Sequence, residues 1–315
     1  MMKNKKIFAI VLIMITILVS SGCNEKKQEH KAHTAEKTKK EYCSTVKVKE
    51  QEEVMYDVYN ERLGCYNIVS NKYQYFYDTD GVFAYKTAGG FEMYTVGSSN
   101  YNYFSILKRN KKEIEKVMDI DPKDSVTPCD KYKGEYYFLL EKDSLQTNQL
   151  DRSIVKYNEK ENTLEEVFGL KNKYLMPGIF VSDKMYYTIY QKEKDCYELY
   201  ALDMHTNKSK KVRDNLQSDG IYNYEDTILV RNKDKIEDLE GNVYFQFRNT
   251  TTGIDYIKER NEFIQVYPNE NEDLQYDVWN LKKKKMVLTN TYYLGHGVVN
   301  GKLRIYTEDG YQDCE

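Results

Sequence analysis

Short apolar runs of one kind recur along this chain at intervals of roughly 40 residues, a period typical of repeat folds. They are Phe91-Glu92-Met93-Tyr94-Thr95-Val96, Glu135 to Leu140, Lys184 to Tyr190, Asp226 to Arg231, Glu262 to Tyr267 and Lys302 to Thr307. Each is rich in aromatic or β-branched residues, which favour strands. A second run follows each of the first five, as in Ser153 to Asn158, Glu198 to Asp203 and Tyr276 to Asn280. These end in Asn or Asp, whose side chains bond back to the backbone and favour a turn. A third run then follows, as in Thr163 to Phe168 and Lys284 to Leu288. A small sheet of this kind cannot bury both faces alone, so such units must stack on one another. The pattern predicts an all-β fold over residues 43–315. We expect a β-propeller of six blades (seven is the other count the spacing allows) in preference to a sandwich, which needs no recurring unit.

The last repeat shows strand candidates only near 292–299 and 302–307 before the sequence ends. Val54 to Tyr59 and Tyr73 to Tyr77 precede the first full repeat and have no unit of their own. Unpaired edges are avoided in folded proteins. We therefore expect the stretch 50–86 to complete the C-terminal blade. That closure would bring Cys65 and Cys314 into one sheet, as a possible disulfide.

The first residues are a different material. Lys3, Lys5 and Lys6 precede an uncharged apolar run from Ile7 to Val19, followed by Ser20, Ser21, Gly22 and Cys23. This order is that of a secretory signal, and the run is short of the about 20 residues of a membrane-spanning helix. The end of the segment resembles the lipobox of bacterial lipoproteins. The resemblance implies recognition of Ser20, Ser21 and Gly22 by a signal peptidase, cleavage after Gly22, and a diacylglyceryl group on Cys23. It also implies an extracytoplasmic protein anchored to the bacterial cell membrane. Residues 1–22 are then the signal, 23–42 the lipidated cysteine and a tether, and 43–315 the folded domain. The tether holds Lys, Glu, Gln, Thr and His with no large aliphatic side chain, a composition expected to stay disordered. Downstream, Leu199-Tyr200-Ala201-Leu202-Asp203 with Thr206, Lys208 and Lys210 resembles propellers of bacterial surface lipoproteins, themselves distantly related to low-density-lipoprotein-receptor propellers.

Charge narrows the partners. Residues 43–315 hold 38 Lys and Arg against 46 Asp and Glu, a net of −8. A nucleic-acid binder needs a basic face to neutralise phosphates, so none is expected as a partner. Five cysteines remain once Cys23 carries lipid: Cys43, Cys65, Cys129, Cys196 and Cys314. Their wide spacing lacks the CxxC of zinc and redox sites.

No catalytic or metal residue stands out. There is no Gly-x-Ser-x-Gly elbow, His-Glu-x-x-His pair or phosphate-binding glycine loop. His30 and His33 fall in the tether, His205 in an expected hairpin turn, and His296 between two glycines in an expected polar loop. Asp119, Asp121 and Asp124 lack the turn glycine and closing Glu of a calcium loop. Asp78 to Gly81 reads as a hairpin turn. No cofactor is expected. The sequence is consistent with a monomeric, lipid-anchored binding protein of the envelope, its partner an unidentified envelope protein or glycan. The alternative is an envelope hydrolase or lyase with its site in the central funnel.

Overall fold

A computed structural model describes residues 46–314 apart from 61, 77–82, 89–91, 99–102, 111–112, 122, 143–150, 172 and 292. Among them the only helical segment is a 3-10 turn at Lys258–Arg260. All other regular elements are strands, in six antiparallel sheets.

Blade 1 is built from Phe83–Ala88, Met93–Ser98, Tyr103–Asn110 and Glu113–Ile120, with Val46–Lys47 added beside the last. Blade 2 has Ser125–Tyr132, Glu135–Lys142, Asp151–Asn158 and Thr163–Lys171. In blade 3, Ile179–Val181 and Tyr174–Leu175 both pair with Lys184–Gln191, and Cys196–Asp203 and Lys208–Leu216 follow. Blade 4 has Ile221–Tyr224, Thr227–Asn232, Lys235–Asp238 and Val243–Gln246. Blade 5 has Gly253–Ile257, Glu262–Pro268, Leu274–Asn280 and Lys285–Thr291.

Each recurring run in the sequence is the second strand of a sequence repeat. The runs alternate in the way a doubly covered strand must. Tyr136, Phe138 and Leu140 face Met93, Ile106 and Ile120 of blade 1, whereas Tyr137 and Leu139 face Phe180, Met185 and Tyr187 of blade 3. Comparable clusters fill the joints between blades 3 and 4 and between blades 4 and 5. Neighbouring blades touch in the order 1, 2, 3, 4, 5, 6 and back to 1, so the ring is closed.

The Asx turns expected from the sequence are present. Asn158 accepts the Lys160 and Glu161 N–H groups, and Asp203 those of His205 and Thr206. Asn67 and Asp57 end N-terminal strands in the same way.

The closing sheet has six strands in the order Gly310–Cys314, Lys302–Thr307, Tyr293–Val299, Glu52–Asp57, Arg62–Asn67, Lys72–Tyr75. The N-terminal stretch therefore joins the C-terminal strands, as expected, with two differences. Phe83–Ala88 belongs to blade 1, and a third C-terminal strand, Gly310–Cys314, is present. The Cys65–Cys314 pairing is not formed, and both thiols are free. Cys65 lies on Arg62–Asn67, four strand steps from Cys314. At about 4.8 Å per step that is roughly 19 Å, far beyond the about 7 Å between Cα atoms that a disulfide can span.

Candidate functional site

Two clusters of polar side chains lie where the ring is joined, and one lies across its axis. The closing sheet comes first because its geometry begins with two glycines. A Cβ on Gly297 would stand 2.6 Å from the Val54 carbonyl oxygen, and one on Gly295 would stand 2.5 Å from the Met55 methyl and 2.9 Å from the Tyr56 carbonyl oxygen. Only glycine lets Tyr293–Val299 approach Glu52–Asp57 so closely. His296 between them is thus held in a strand, opposite Tyr56, and is completely buried. This corrects the polar loop expected around His296: the glycines mark a close strand approach.

The buried imidazole has defined neighbours. Its Nδ1 lies 2.9 Å from the Tyr293 hydroxyl, and its Nε2 lies 3.0 Å from Asp255 Oδ2, at ion-pair distance. The Tyr293 hydroxyl also accepts the Val58 N–H at 3.2 Å. Burial, with the Asp57 carboxylate nearby, pushes the Tyr293 hydroxyl well above its ordinary pKa. A carboxylate, an imidazole and a hydroxyl in line have the outline of a nucleophilic triad. Here the imidazole has no exposed surface and the hydroxyl is strongly resistant to ionisation. The arrangement fits a structural joint that ties Tyr293–Val299 to Glu52–Asp57 and, through Asp255, to blade 5.

On the other face of this sheet, Arg304 joins three strands, its own and those of Asp313 and Glu53, reaching the last across an intervening fourth. Its Nη1 donates to both oxygens of Glu53 at 2.9 Å, while Nε and Nη2 donate to Asp313 at 2.6 and 2.9 Å. The guanidinium lies 3.8 Å from the Tyr311 ring centroid. Tyr306 donates to Glu53 at 2.8 Å. Arg304 stands opposite Gly297 in the register, so no side chain on the intervening strand obstructs its reach to Glu53. The guanidinium holds the Asp313 carboxyl below its usual range.

The third cluster crosses the axis. Lys258, in the turn after the first strand of blade 5, donates to Asp130 of blade 2 at 3.2 and 3.4 Å. Blades 2 and 5 are opposite in a six-membered ring, so this ion pair is a chord across its axis. A chain of hydrogen bonds runs around the arc it subtends. The Tyr256 hydroxyl donates to the Asn223 carbonyl at 2.9 Å, and Asn223 Nδ2 donates to the Phe180 carbonyl at 3.1 Å. Phe180 N–H then donates to Asp130 at 3.0 Å. Blades 5, 4, 3 and 2 are tied in sequence, and Lys258 closes the circuit.

The remaining residues singled out in the sequence are engaged elsewhere or lie outside the described residues. His205 is in the expected turn, exposed, 3.3 Å from Asp183. Asp119 accepts from Ser105 and Lys116, and Asp121 caps the backbone of Lys123. No group of His, Cys, Asp and Glu suited to a metal occurs among the described residues. Ser20, Ser21, Gly22, Cys23, His30, His33, Cys43 and the Asp78 to Gly81 turn lie outside the described residues. Sequence reasoning missed the Arg304 clamp and the Lys258–Asp130 chord. The Gly-His-Gly triplet was the one signal of a close approach.

These joints define the class: a six-bladed β-propeller closed by strands from both ends of the chain. No protein-family model and no curated protein matches it. Solved structures similar to it include the β-propeller domain of the trilobed protease from Pyrococcus furiosus, at 16% identity and TM-score 0.37, covering 60% of this chain and 70% of that one. An oligogalacturonate lyase in complex with manganese is similar at 9% identity and TM-score 0.49, covering 85% and 84%. The Dos1 propeller is similar at 12% identity and TM-score 0.45, covering 84% and 75%.

Proposed function

We propose that this chain is a lipid-anchored interaction protein of the bacterial envelope. Cys23 carries a diacylglyceryl group after cleavage behind Gly22, and the propeller binds an envelope protein or glycan extracytoplasmically as a monomer. The observation that carries the binding reading is the chord across the axis. Lys258 and Asp130, with the linked groups of Tyr256, Asn223 and Phe180, satisfy one another where a funnel enzyme would hold its acid and base. His296 is likewise enclosed in a joint. Partner contacts then fall to the perimeter and the outer loops.

The test expresses the full chain and Cys23→Ser with a clickable fatty acid, then captures envelope components by cross-linking. Acylation confined to the Cys23 chain, with a discrete saturable partner, is the expected result. Undiminished label in Cys23→Ser refutes the anchor. Turnover of an envelope glycan or peptide that is lost in Asp130→Asn and His296→Gln, both still folded, refutes the binding reading in favour of an enzyme.

A further inference from the structure

The closing blade carries five of the eight large hydrophobic side chains that are exposed among the described residues: Tyr59, Ile68, Val69, Tyr73 and Tyr311. Three of them belong to one hairpin, between Arg62–Asn67 and Lys72–Tyr75. Val69, at its tip, is 80% exposed. Turn tips are ordinarily Gly, Asn, Asp, Ser or Pro, so an Ile-Val pair there needs a reason. The turn is a built one. Asn67 Oδ1 accepts the Val69 and Ser70 N–H groups at 3.1 and 2.9 Å, and Asn71 takes the left-handed conformation, φ 52°. The valine is thus held out in water by an ordered backbone.

Its position in the molecule supplies the reason. The Ile68 N–H donates to the Gln51 carbonyl at 3.0 Å, so the tip rests on the segment that arrives from the N-terminus. Val46, the first described residue, is five positions earlier, and Cys23 precedes Val46 by 23 residues. That span reaches at most about 80 Å when fully extended. Lys72, opposite Asn67 in the register, and Lys49, two residues before Gln51, are both exposed near the tip; Lys49 is partly offset by Glu52 at 3.4 Å. An apolar tip beside two exposed lysines is suited to the boundary between headgroups and acyl chains, where apolar side chains bury and cations meet anionic lipid.

We infer that the Ile68–Val69 hairpin tip is a second membrane contact, seated in the bilayer surface beside the acyl anchor, so that the ring stands on its closing blade. The inference rests on the lipoprotein reading above. Anchoring makes a weak contact sufficient, because a tethered patch meets its surface at high effective concentration.

The test uses the mature acylated chain on vesicles of phosphatidylglycerol and phosphatidylcholine with brominated acyl chains. Val69→Trp is compared with Val212→Trp, an exposed valine on the outer strand of blade 3, opposite the closing blade. The signal of native Trp279 is subtracted from both. Val69→Trp should lose about half or more of its added fluorescence and shift to the blue, and Val212→Trp should do neither. Equal behaviour of the two, with diacylglyceryl-Cys23 confirmed by mass, overturns the contact and leaves the lipoprotein reading standing. A chain whose mass shows free Cys23 removes both. A blue shift of Val69→Trp that grows with protein concentration without vesicles overturns the membrane contact and assigns the tip to a second copy of the chain. Far-UV circular dichroism confirms that each variant is folded.

Discussion

Replacing Arg304 with Met should loosen the ring where its two ends meet. The substitution keeps the stem of the side chain and removes four charge-assisted contacts, two to Glu53 and two to Asp313. It also removes a cation stacked on Tyr311. Breaking a fully buried pair costs about 3–5 kcal/mol because the remaining charge is stranded. Glu53 and Asp313 are 18% and 28% exposed, so water recovers part of that loss. A destabilisation of about 3 kcal/mol follows, equivalent to roughly 6–12 °C in Tm for a domain of this size. Pairing the change with Glu53→Gln in a double-mutant cycle should give a coupling of about 1–2 kcal/mol. The effect should depend on pH in a definite sense. Asp313 is held below its ordinary value in the folded state. Its contribution is complete above the unfolded value of about 3.9 and disappears as pH falls through the lower folded value. The gap between wild type and variant should therefore narrow in acid. Urea unfolding at pH 7 and near pH 3, with hydrogen exchange to locate the loss in residues 52–75, measures all of this. A destabilisation below about 1 kcal/mol, within the range of an exposed ion pair, or no coupling to Glu53, would refute the reasoning.

Two other outcomes follow from the closing sheet. Gly297→Ala puts a methyl 2.6 Å from the Val54 carbonyl oxygen; the overpacking should cost about 1–3 kcal/mol, read as a lower Tm with faster exchange at Tyr56, and an unchanged Tm would contradict the close approach. Reducing agent should leave the melting temperature unchanged, because Cys65, Cys129, Cys196 and Cys314 are free. Burial raises the Cys65 thiol to about 11 and the Cys314 thiol to about 12, so neither should react with a thiol reagent at pH 8 until the protein unfolds.

The blade period was readable because the second strand of each repeat packs on both faces. That demand produces runs such as Glu135 to Leu140, with nearly every position buried. The first strands were not read, because several are too short to show a pattern: Ile179–Val181 has three residues and Ile221–Tyr224 has four. Their places are set by contact with adjacent blades. Closure could be inferred from a shortage, since only two strands were read in the last repeat, which has three, and the start had spare ones. The disulfide could not be settled in the same way, because sharing a sheet does not fix how many strands lie between two residues. His296 was misplaced for a related reason. Gly-His-Gly fits a loop in isolation, and only the strand brought from residues 52–57 turns the glycines into clearances. Asp130 and Lys258 are 128 positions apart, and nothing local in either segment announces the other.

The way the chain enters the ring also sets how it bears load. Among the described residues, tension applied from the N-terminal side first meets Val46–Lys47, paired with Glu113–Ile120 through two residues. That short pairing gives way first, and straightening the six residues from Val46 to Gln51 then draws Val48 out of the core it shares with Leu63 and Ile114. The next element in line is Glu52–Asp57, lodged in the middle of the widest sheet, between Arg62–Asn67 and Tyr293–Val299 and stapled by Arg304. Pulling therefore acts on a short first stage and then on a strand paired on both sides. A tug on the N-terminal side is thus met first by this short outer segment, with Val48 in its core, and only then by the strand that holds the ring shut.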